Sequence, residues 1–254
     1  MINLEIPEQL IIKDSGEIRY ELINGKTIIG LCGYARSGKD TLGSLLVERL
    51  SFKRISFADT LKKELNEHMK LSVFNDLQEK GFYIDFESVD FENPKKIEIK
   101  ELLRPYMIWY GEEIKKINGI HYWTNKAFSQ IDKNDKKIVI TDVRRLNELD
   151  IFKNSRTFIE KRIKNRREIS LPEDSPYDIY DYDSDFETLF LYINQLNNSD
   201  SDSLTKETIM SSLEKWLFDE IVEIDSRIQN PELKKRHLIN HIQKLIIKYP
   251  KYFI

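Results

Sequence analysis

A glycine-punctuated segment that ends in a lysine is the part of the sequence best suited to chemistry. Residues 33–41 read GYARSGKDT, which fits the G-x-x-x-x-G-K pattern of a phosphate-cradling loop. Its glycines let the backbone turn so that successive N–H groups point inward, and a following helix adds the partial positive charge of its N-terminus. Lys39 supplies a mobile cation for phosphate oxygens. The pattern therefore predicts a site for a polyphosphate.

The segments on either side of this loop have the character that such a loop requires. Thr27–Cys32 is a continuous apolar run without alternation, which predicts a strand buried on both faces, as in a parallel sheet. Thr41–Leu50 carries leucines at helical spacing. The sequence thus predicts a strand, a phosphate loop and a helix in that order.

The residue after the lysine departs from the usual pattern. A serine or threonine is common there because its hydroxyl reaches Mg²⁺, but this chain has Asp40, with Thr41 next. The Asp40 carboxylate either holds the metal through water or repels phosphate and only positions Thr41 or the substrate. We keep Asp40 and Thr41 as the candidate Mg²⁺ ligands.

A second group of charged residues follows the predicted strand Lys137–Thr141. Ligands of open α/β sheets bind at the carboxyl ends of the strands, so Asp142, Arg144 and Glu148 lie where a site is expected. The structural alternatives are a helix N-cap for Asp142 and a solvated helix face for Glu148.

Further basic and aromatic candidates lie elsewhere along the chain. Phosphoryl transfer between two anions requires cations, and Arg104, on the predicted helix Glu98–Ile117, and Lys126 are candidates for that role. Trp123 is either a stacking platform for a base or part of the core. Arg162 and Arg166 belong to a basic run that is either a lid or a solvated turn.

Strands that alternate with helices predict an α/β fold with a five-stranded parallel sheet covered on both faces, in three layers. An N-terminal hairpin is expected around Asp14-Ser15-Gly16, and two amphipathic helices beyond a polar linker. The predicted division is an N-terminal extension at 1–26, a core at 27–197, and a linker with a C-terminal helical extension at 198–254.

The remaining predicted strands are Lys53–Phe57, Arg156–Ile163 and Asp178–Tyr182. The remaining predicted core helices are Thr60–Met69, Leu146–Asn154 and Asp185–Leu196, and residues 70–97 are predicted to be irregular.

Composition and missing motifs exclude several classes of protein. A net charge of −3 gives no global basic field for a nucleic-acid polymer, and a single cysteine, Cys32, excludes an intramolecular disulfide framework and a cysteine-cluster metal site. We see no signal peptide and no apolar run near ~18 residues, so we expect a cytoplasmic protein with small-molecule partners and no membrane contact. A GTPase would carry N-K-x-D, but residues 125–128 read NKAF.

Taken together, residues 27–196 resemble the deoxynucleoside monophosphate kinase family of phages and large DNA viruses, which has a P-loop kinase fold. The segments that carry the resemblance are RSGKDT at 36–41, SFADTLK at 56–62, WYGEE at 109–113 and D-x-R-x-x-x-E at 142–148. The family's frequent His-x-Ser-Glu segment is absent, which weakens the assignment of Arg162 and Arg166 to a lid.

The resemblance implies phosphorylation of deoxynucleoside monophosphates to diphosphates, with ATP and Mg²⁺. It implies catalytic roles for Lys39, Arg104, Asp142 and Arg144. The implied ATP-binding residues are Gly33, Ala35, Arg36, Ser37, Gly38, Lys39, Asp40, Thr41, Arg162 and Arg166, and the implied substrate-binding residues are Asp59, Arg104, Gly111, Trp123, Lys126, Asp142, Arg144 and Glu148.

Two alternatives stay open. Animal-type phosphomevalonate kinases share a Ser-Gly-Lys-Asp loop, a tryptophan-glycine-glutamate helix and an Asp-x-Arg-Arg segment; Tyr122-Trp123 and Glu148 favour the nucleotide instead. The chain could also be an inactive nucleotide-binding regulator or virion protein, since extra C-terminal helices suit partner binding. Their other uses would be packing against the core or formation of a homodimer.

Overall fold

A computed structural model describes residues 2, 4–12, 16–33, 37–153, 187–196, 219–225, 228 and 230–254. The chain forms two compact units. The helical unit comprises Met1–Ile18 and Ser56–Gln130, and the sheet unit comprises Arg19–Ile55 and Ile131–Ile254.

The described residues of the sheet unit form a parallel sheet with the strand order β2-β3-β1-β4-β5. The central strand β1 is the apolar run predicted to be buried on both faces, and its side chains are buried from Ile28 onward. The strands are β1 Thr27–Gly33, β2 Lys53–Ile55, β3 Lys137–Ile140, β4 Glu187–Leu196 and β5 Glu220–Asp225.

Helices make up most of the remaining described structure. The α-helices are α1 Lys39–Leu50, α2 Phe57–His68, α3 Lys70–Glu79, α4 Ile97–Asn118, α5 Tyr122–Phe128, α6 Leu146–Lys153 and α7 Pro231–Lys248. Short 3-10 helices lie at Glu8–Leu10, Tyr20–Leu22, Phe86–Ser88 and Pro250–Tyr252. Helices α1, α6 and α7 belong to the sheet unit, and α2 to α5 to the helical unit.

The core of the sheet unit joins the strands to α1 and α7. Leucines of α1 and the apolar face of α7 share one buried cluster with β1, β3, β4 and β5. Helix α7 begins where Asn230 and Pro231 predict, because the Asn230 side chain accepts hydrogen bonds from the N–H groups of Glu232 (2.9 Å) and Leu233 (3.2 Å).

The helical unit has a separate core built on α2 to α5. Ser56 caps α2 by accepting a hydrogen bond from the Asp59 N–H at 3.1 Å. Tyr110 and Ile114 of α4 are fully buried in this core. The N-terminal segment is tied to the same core, since Leu10 is buried and its carbonyl accepts a hydrogen bond from Asn118 at 2.5 Å.

The predicted N-terminal hairpin is wrong. Its two arms contain the 3-10 helices Glu8–Leu10 and Tyr20–Leu22, and no strand occurs in the described part of residues 1–26. The Ile12 N–H donates to the side chain of Asn118 at 2.7 Å, so this backbone group bonds to α4 and not to a strand partner.

Two predicted helical regions are strands. Asp185–Leu196 was predicted as a helix, but Glu187–Leu196 is β4, which lies between β1 and β5 and has Thr188, Leu189 and Leu191 buried. The first C-terminal helix was predicted to extend through Ile221 and Ile224, but this stretch belongs to β5, where Val222 and Ile224 are buried.

The α/β class with a parallel sheet is confirmed, although the five observed strands are not the five predicted ones. Predicted strands Arg156–Ile163 and Asp178–Tyr182 lie outside the described residues. Residues 70–97 were predicted to be irregular, yet α3 begins at Lys70, because Val73 and Leu77 form a buried stripe at helical spacing. The compact units are bounded at residues other than 26 and 197, and β5 and α7 lie in the sheet unit.

We predict that the close approach of α1 to the end of β3 requires glycine at position 43. A Cβ on Gly43 would lie 2.5 Å from Cγ2 of Thr141, so Gly43→Ala should destabilise the fold by about 1–3 kcal/mol. Urea unfolding measures this. Thr141→Ser removes the clashing methyl group and should restore most of the loss in the double variant; equal losses in the single and double variants would contradict the packing.

Candidate phosphate-binding site

Gly38, the last glycine of the loop, packs against β5 and α7. Gly38 has a φ of +100°, a left-handed conformation that glycine adopts without strain. A Cβ at this position would also lie 3.0 Å from Cδ1 of Ile224 and 3.3 Å from Cε of Lys234. Both the backbone conformation and the packing therefore require glycine directly before α1.

Lys39 opens α1 with a buried ammonium. The residue is only 3% exposed, and its Nζ lies 4.0 Å from Oδ2 of Asp40. Burial lowers the pKa of Lys39, and the positive charge of Arg144 lowers it further, while Asp40 and Asp142 oppose the shift. Lys39 and Arg144 carry like charges that repel each other, and Lys39 is buried. A bound anion near both side chains would therefore be stabilised.

The end of β3 is fixed between its neighbours, which positions Asp142. The Thr141 N–H donates to the carbonyl of Ile55 at 3.2 Å, and the Val143 N–H donates to that of Leu31 at 3.3 Å. Asp142 lies between these two anchors and is 8% exposed. Helix α6 begins only at Leu146, so Asp142 is not its N-cap.

Strand order places this edge at the switch point of the sheet. From central β1 the chain continues to β2 on one side, whereas after β3 it continues to β4 on the other side of β1. Open α/β sheets bind ligands at the carboxyl ends of the strands at such a point. The loop after β1 and the segment after β3, with Lys39 and Asp142, meet this condition.

Glu148 holds the segment after β3 in place. One oxygen, Oε2, accepts hydrogen bonds from the N–H groups of Arg144 (2.6 Å) and Arg145 (2.9 Å). The solvated-face alternative for Glu148 is wrong, because the residue is only 9% exposed. Burial, and next the charge of Asp142, raises its pKa to about 7. Its carboxylate therefore supports the backbone that carries Arg144.

Two buried hydroxyls beside this edge lack hydrogen-bond partners among the described residues. They are Oγ of Ser37, at the end of the loop, and Oγ1 of Thr141, after β3. Buried polar atoms are nearly always bonded, so these two oxygens fit a site completed by a polar ligand. Asp40 and Thr41 are exposed on the first turn of α1 and offer the oxygen donors that Mg²⁺ prefers.

We predict that Glu148 makes stability depend on pH. Its pKa is about 7 when folded against 4.5 for the ordinary carboxyl group. The folded state therefore binds more protons between these values, and the free energy of unfolding should fall as pH rises from about 4.5 to 7. The effect is of the order of 3 kcal/mol at most.

Glu148→Gln keeps a carbonyl oxygen that can accept both N–H groups and removes the charge. The difference between the urea unfolding midpoint of Glu148→Gln and that of the unaltered chain should therefore shift in favour of Glu148→Gln as pH rises from about 4.5 to 7. Glu5→Gln, at an exposed position, is the control. Parallel pH profiles for the unaltered chain and Glu148→Gln would contradict the prediction.

The charged candidates of the helical unit make ion pairs within that unit. The Asp59 carboxylate lies 3.3 Å from Nζ of Lys62 and is 44% exposed. Nη1 of Arg104 lies 3.9 Å from Oε2 of Glu101, and the Arg104 side chain is half exposed. Both side chains are therefore accessible to solvent.

Gly111 and Trp123 serve the core of the helical unit. A Cβ on Gly111 would lie 2.8 Å from Cδ1 of Leu61, so this glycine permits close packing of α4 on α2. The indole N–H of Trp123 donates to the Gly111 carbonyl at 3.1 Å, and the residue is 8% exposed. Its ring packs against Tyr110 and Tyr122. The geometry favours core packing over a stacking platform.

The sequence analysis missed Glu64, which is the charged centre of this core. Glu64 is 1% exposed, accepts hydrogen bonds from the hydroxyls of Tyr110 (2.7 Å) and Tyr122 (2.9 Å), and pairs with Lys126. The available signal was an acidic residue on the buried face of α2, directly before Leu65. Lys126 is therefore held by a buried carboxylate.

We predict that this carboxylate stabilises the helical unit through its charge. Glu64→Gln should lower the free energy of unfolding by about 1–3 kcal/mol, less than for a fully buried pair because Lys126 is one-third exposed. Glu64→Gln/Lys126→Met should lose less stability than Glu64→Gln and Lys126→Met lose in sum, and Tyr110→Phe should cost about 1 kcal/mol. Urea unfolding measures all four variants; a double variant that loses as much as this sum would contradict the pairing.

The predicted site residues divide between the units. The sheet unit contains Gly33, Ser37, Gly38, Lys39, Asp40, Thr41, Asp142, Arg144 and Glu148, and the helical unit contains Asp59, Arg104, Gly111, Trp123 and Lys126. The predicted residues Ala35, Arg36, Arg162 and Arg166 lie outside the described residues. Among the helices described here, none has the length and apolar character needed to span a membrane.

Comparison with known proteins finds a viral protein that is similar to this chain in sequence. The chain is 34% identical over 134 residues to a protein of Acanthamoeba polyphaga mimivirus named "Putative deoxynucleotide monophosphate kinase", and the match covers 50% of this chain and 68% of the viral protein. The chain belongs to the family of P-loop kinase-like proteins that includes this viral protein. This similarity suggests that the chain is a phosphotransferase that uses a nucleotide or another small molecule.

Other similarities are weaker. The chain is 26% identical over 148 residues to "Ribosomal RNA small subunit methyltransferase I" of Mycoplasma genitalium, covering 57% of this chain and about half of that protein (48%). A gluconokinase structure from Sinorhizobium meliloti 1021 aligns with 89% of this chain and 99% of its own, at 13% identity and a TM-score of 0.27, too low to support an argument. No family model matches the chain.

Proposed function

We propose that the chain transfers the γ-phosphoryl group of ATP to the 5′-phosphate of a deoxynucleoside monophosphate. The observation that carries this proposal is the buried ammonium of Lys39 at the start of α1, beside Asp142 and Arg144 at the carboxyl end of the neighbouring strand. This arrangement suits the charge that develops in phosphoryl transfer. The name of the mimivirus relative favours a deoxynucleotide as the acceptor.

Lys39 and the main-chain N–H groups at the start of α1 would hold the donor phosphates. An anion at this point offsets the repulsion between Lys39 and Arg144 that lowers the Lys39 pKa. Binding and charge stabilisation would therefore occur at the same atoms. No covalent enzyme intermediate is needed, because positioning and electrostatics supply the catalysis.

The donor set at the start of α1 fits Mg²⁺. Asp40 and Thr41 provide oxygen ligands on the first turn, and Mg²⁺ takes few protein ligands and keeps several waters. The ion would neutralise charge on the donor phosphates. Ser37, whose buried hydroxyl has no partner among the described residues, would donate to a phosphate oxygen or bind the ion.

Asp142, Arg144 and Glu148 would form the acceptor side of the sheet unit. Arg144 would bind phosphate oxygens, and its position depends on Glu148, which bonds to its backbone N–H. Asp142 would orient the metal or an arginine. Asp59, Arg104 and Lys126 of the helical unit stay predictions as further acceptor contacts, carried by the family resemblance.

We expect Lys39→Met to abolish turnover and to leave the melting temperature unchanged or higher, because the variant keeps the length of the side chain and removes a buried charge. Lys53→Met, at an exposed position of β2, is the matched control and should retain full activity. ADP release is followed with MgATP and panels of deoxynucleoside monophosphates, ribonucleoside monophosphates and phosphomevalonate.

ADP release with deoxynucleoside monophosphates alone would support the proposal. Release with phosphomevalonate would assign the chain to that acceptor instead, and binding of ATP without turnover of any acceptor would indicate a nucleotide-binding regulator. Unchanged activity in Lys39→Met would overturn the assignment of the donor site.

A further inference from the structure

Two histidines on one face of α7 bring their ring nitrogens together. His237 and His241 lie one helical turn apart, and their Nε2 atoms are separated by 3.1 Å. The ring centroids are 4.8 Å apart with planes at 64°. The main-chain carbonyl oxygen of Glu223, on β5, lies 3.3 Å from Nε2 of His237. Two imidazole nitrogens and one carbonyl oxygen therefore converge from a helix and a strand of the same unit.

The separation of the two nitrogens suits chelation of a metal ion. Nitrogens bound at about 2.0–2.1 Å to one ion, at octahedral or tetrahedral angles, lie about 2.9–3.4 Å apart. The observed Nε2–Nε2 distance of 3.1 Å falls inside this interval.

Imidazole is the side chain that most often binds metal ions in proteins, through the lone pair of a ring nitrogen. Each of these two rings presents its Nε2 atom to the other, so the two possible donor atoms lie next to each other.

We propose that His237 Nε2, His241 Nε2 and the Glu223 main-chain oxygen bind one divalent transition-metal ion, with water completing its coordination. Imidazole ligands select Zn²⁺, Ni²⁺ or Cu²⁺, whereas Mg²⁺ prefers oxygen donors. This site is therefore chemically distinct from the candidate Mg²⁺ ligands of α1. The Glu223 main-chain oxygen is the third protein atom of this proposed site because it lies 3.3 Å from Nε2 of His237.

The position of the site connects it to the phosphate loop. Glu223 directly precedes Ile224 on β5, and Lys234 and Leu238 lie beside the histidines on α7. Side-chain atoms of Ile224, Lys234 and Leu238 lie within 4 Å of the position that a Cβ on Gly38 would occupy. An ion shared by β5 and α7 would stabilise the corner of the sheet unit against which the loop glycine packs.

Titration of the chelator-treated full chain with ZnCl₂ and NiCl₂ at pH 7.5, in an isothermal titration calorimeter, tests the site. We expect one saturable equivalent, a melting temperature that rises by roughly 5 °C at a hundredfold excess over Kd, and weaker binding at pH 5.5 than at pH 7.5, because protons compete with the metal for ring nitrogens. MgCl₂ should give no corresponding binding signal at the histidines.

His237→Ala and His241→Ala should each weaken binding more than about tenfold. His68→Ala, on α2 of the helical unit, is the matched control and should bind as the unaltered chain does. The melting temperature of each variant without metal, measured alongside, shows that it is folded. Unchanged affinity in both α7 variants, an equal loss in His68→Ala, or binding that persists unaltered at pH 5.5 would overturn the site.

Discussion

Lys39 places an ammonium group at the start of α1, at a position where only 3% of the residue is exposed. An ammonium taken out of water is costly unless opposite charges or hydrogen bonds compensate. Asp40 and Asp142 favour the charged form of Lys39, while burial and Arg144 oppose it. Under the proposed function, a bound polyphosphate would add negative charge beside this ammonium.

Two glycines allow close packing around α1, the helix that Lys39 begins. Gly38 adopts a left-handed conformation and admits Ile224 of β5 and Lys234 of α7 within van der Waals distance. Gly43 lets α1 approach Thr141 at the end of β3. Two buried glutamates among the described residues act differently. Glu148 accepts hydrogen bonds from the backbone N–H groups of Arg144 and Arg145. Glu64 pairs with Lys126 and accepts hydrogen bonds from two tyrosine hydroxyls inside the helical unit.

The sequence predicted the elements whose signal is local and failed where tertiary packing decides. Strands β1 and β3 and helix α4 follow from apolar runs and from helical spacing along the sequence. Residues 187–196 and 220–225 have apolar positions compatible with both periods. Pairing of residues 187–196 with β1, and of residues 220–225 with β4, selects the strand in each case. The role of Glu64 depends on three helices at once, so only its placement on the buried face of α2 could have indicated it.

Competition for the nucleotide site tests the central claim most directly, because the account assigns recognition to phosphate oxygens. A fluorescent ATP analogue bound to the full chain should be displaced by inorganic tripolyphosphate, and adenosine should displace it far less. Displacement by adenosine with no effect of tripolyphosphate, or binding that is insensitive to both, would contradict the claim that Lys39 and the loop bind a phosphate chain.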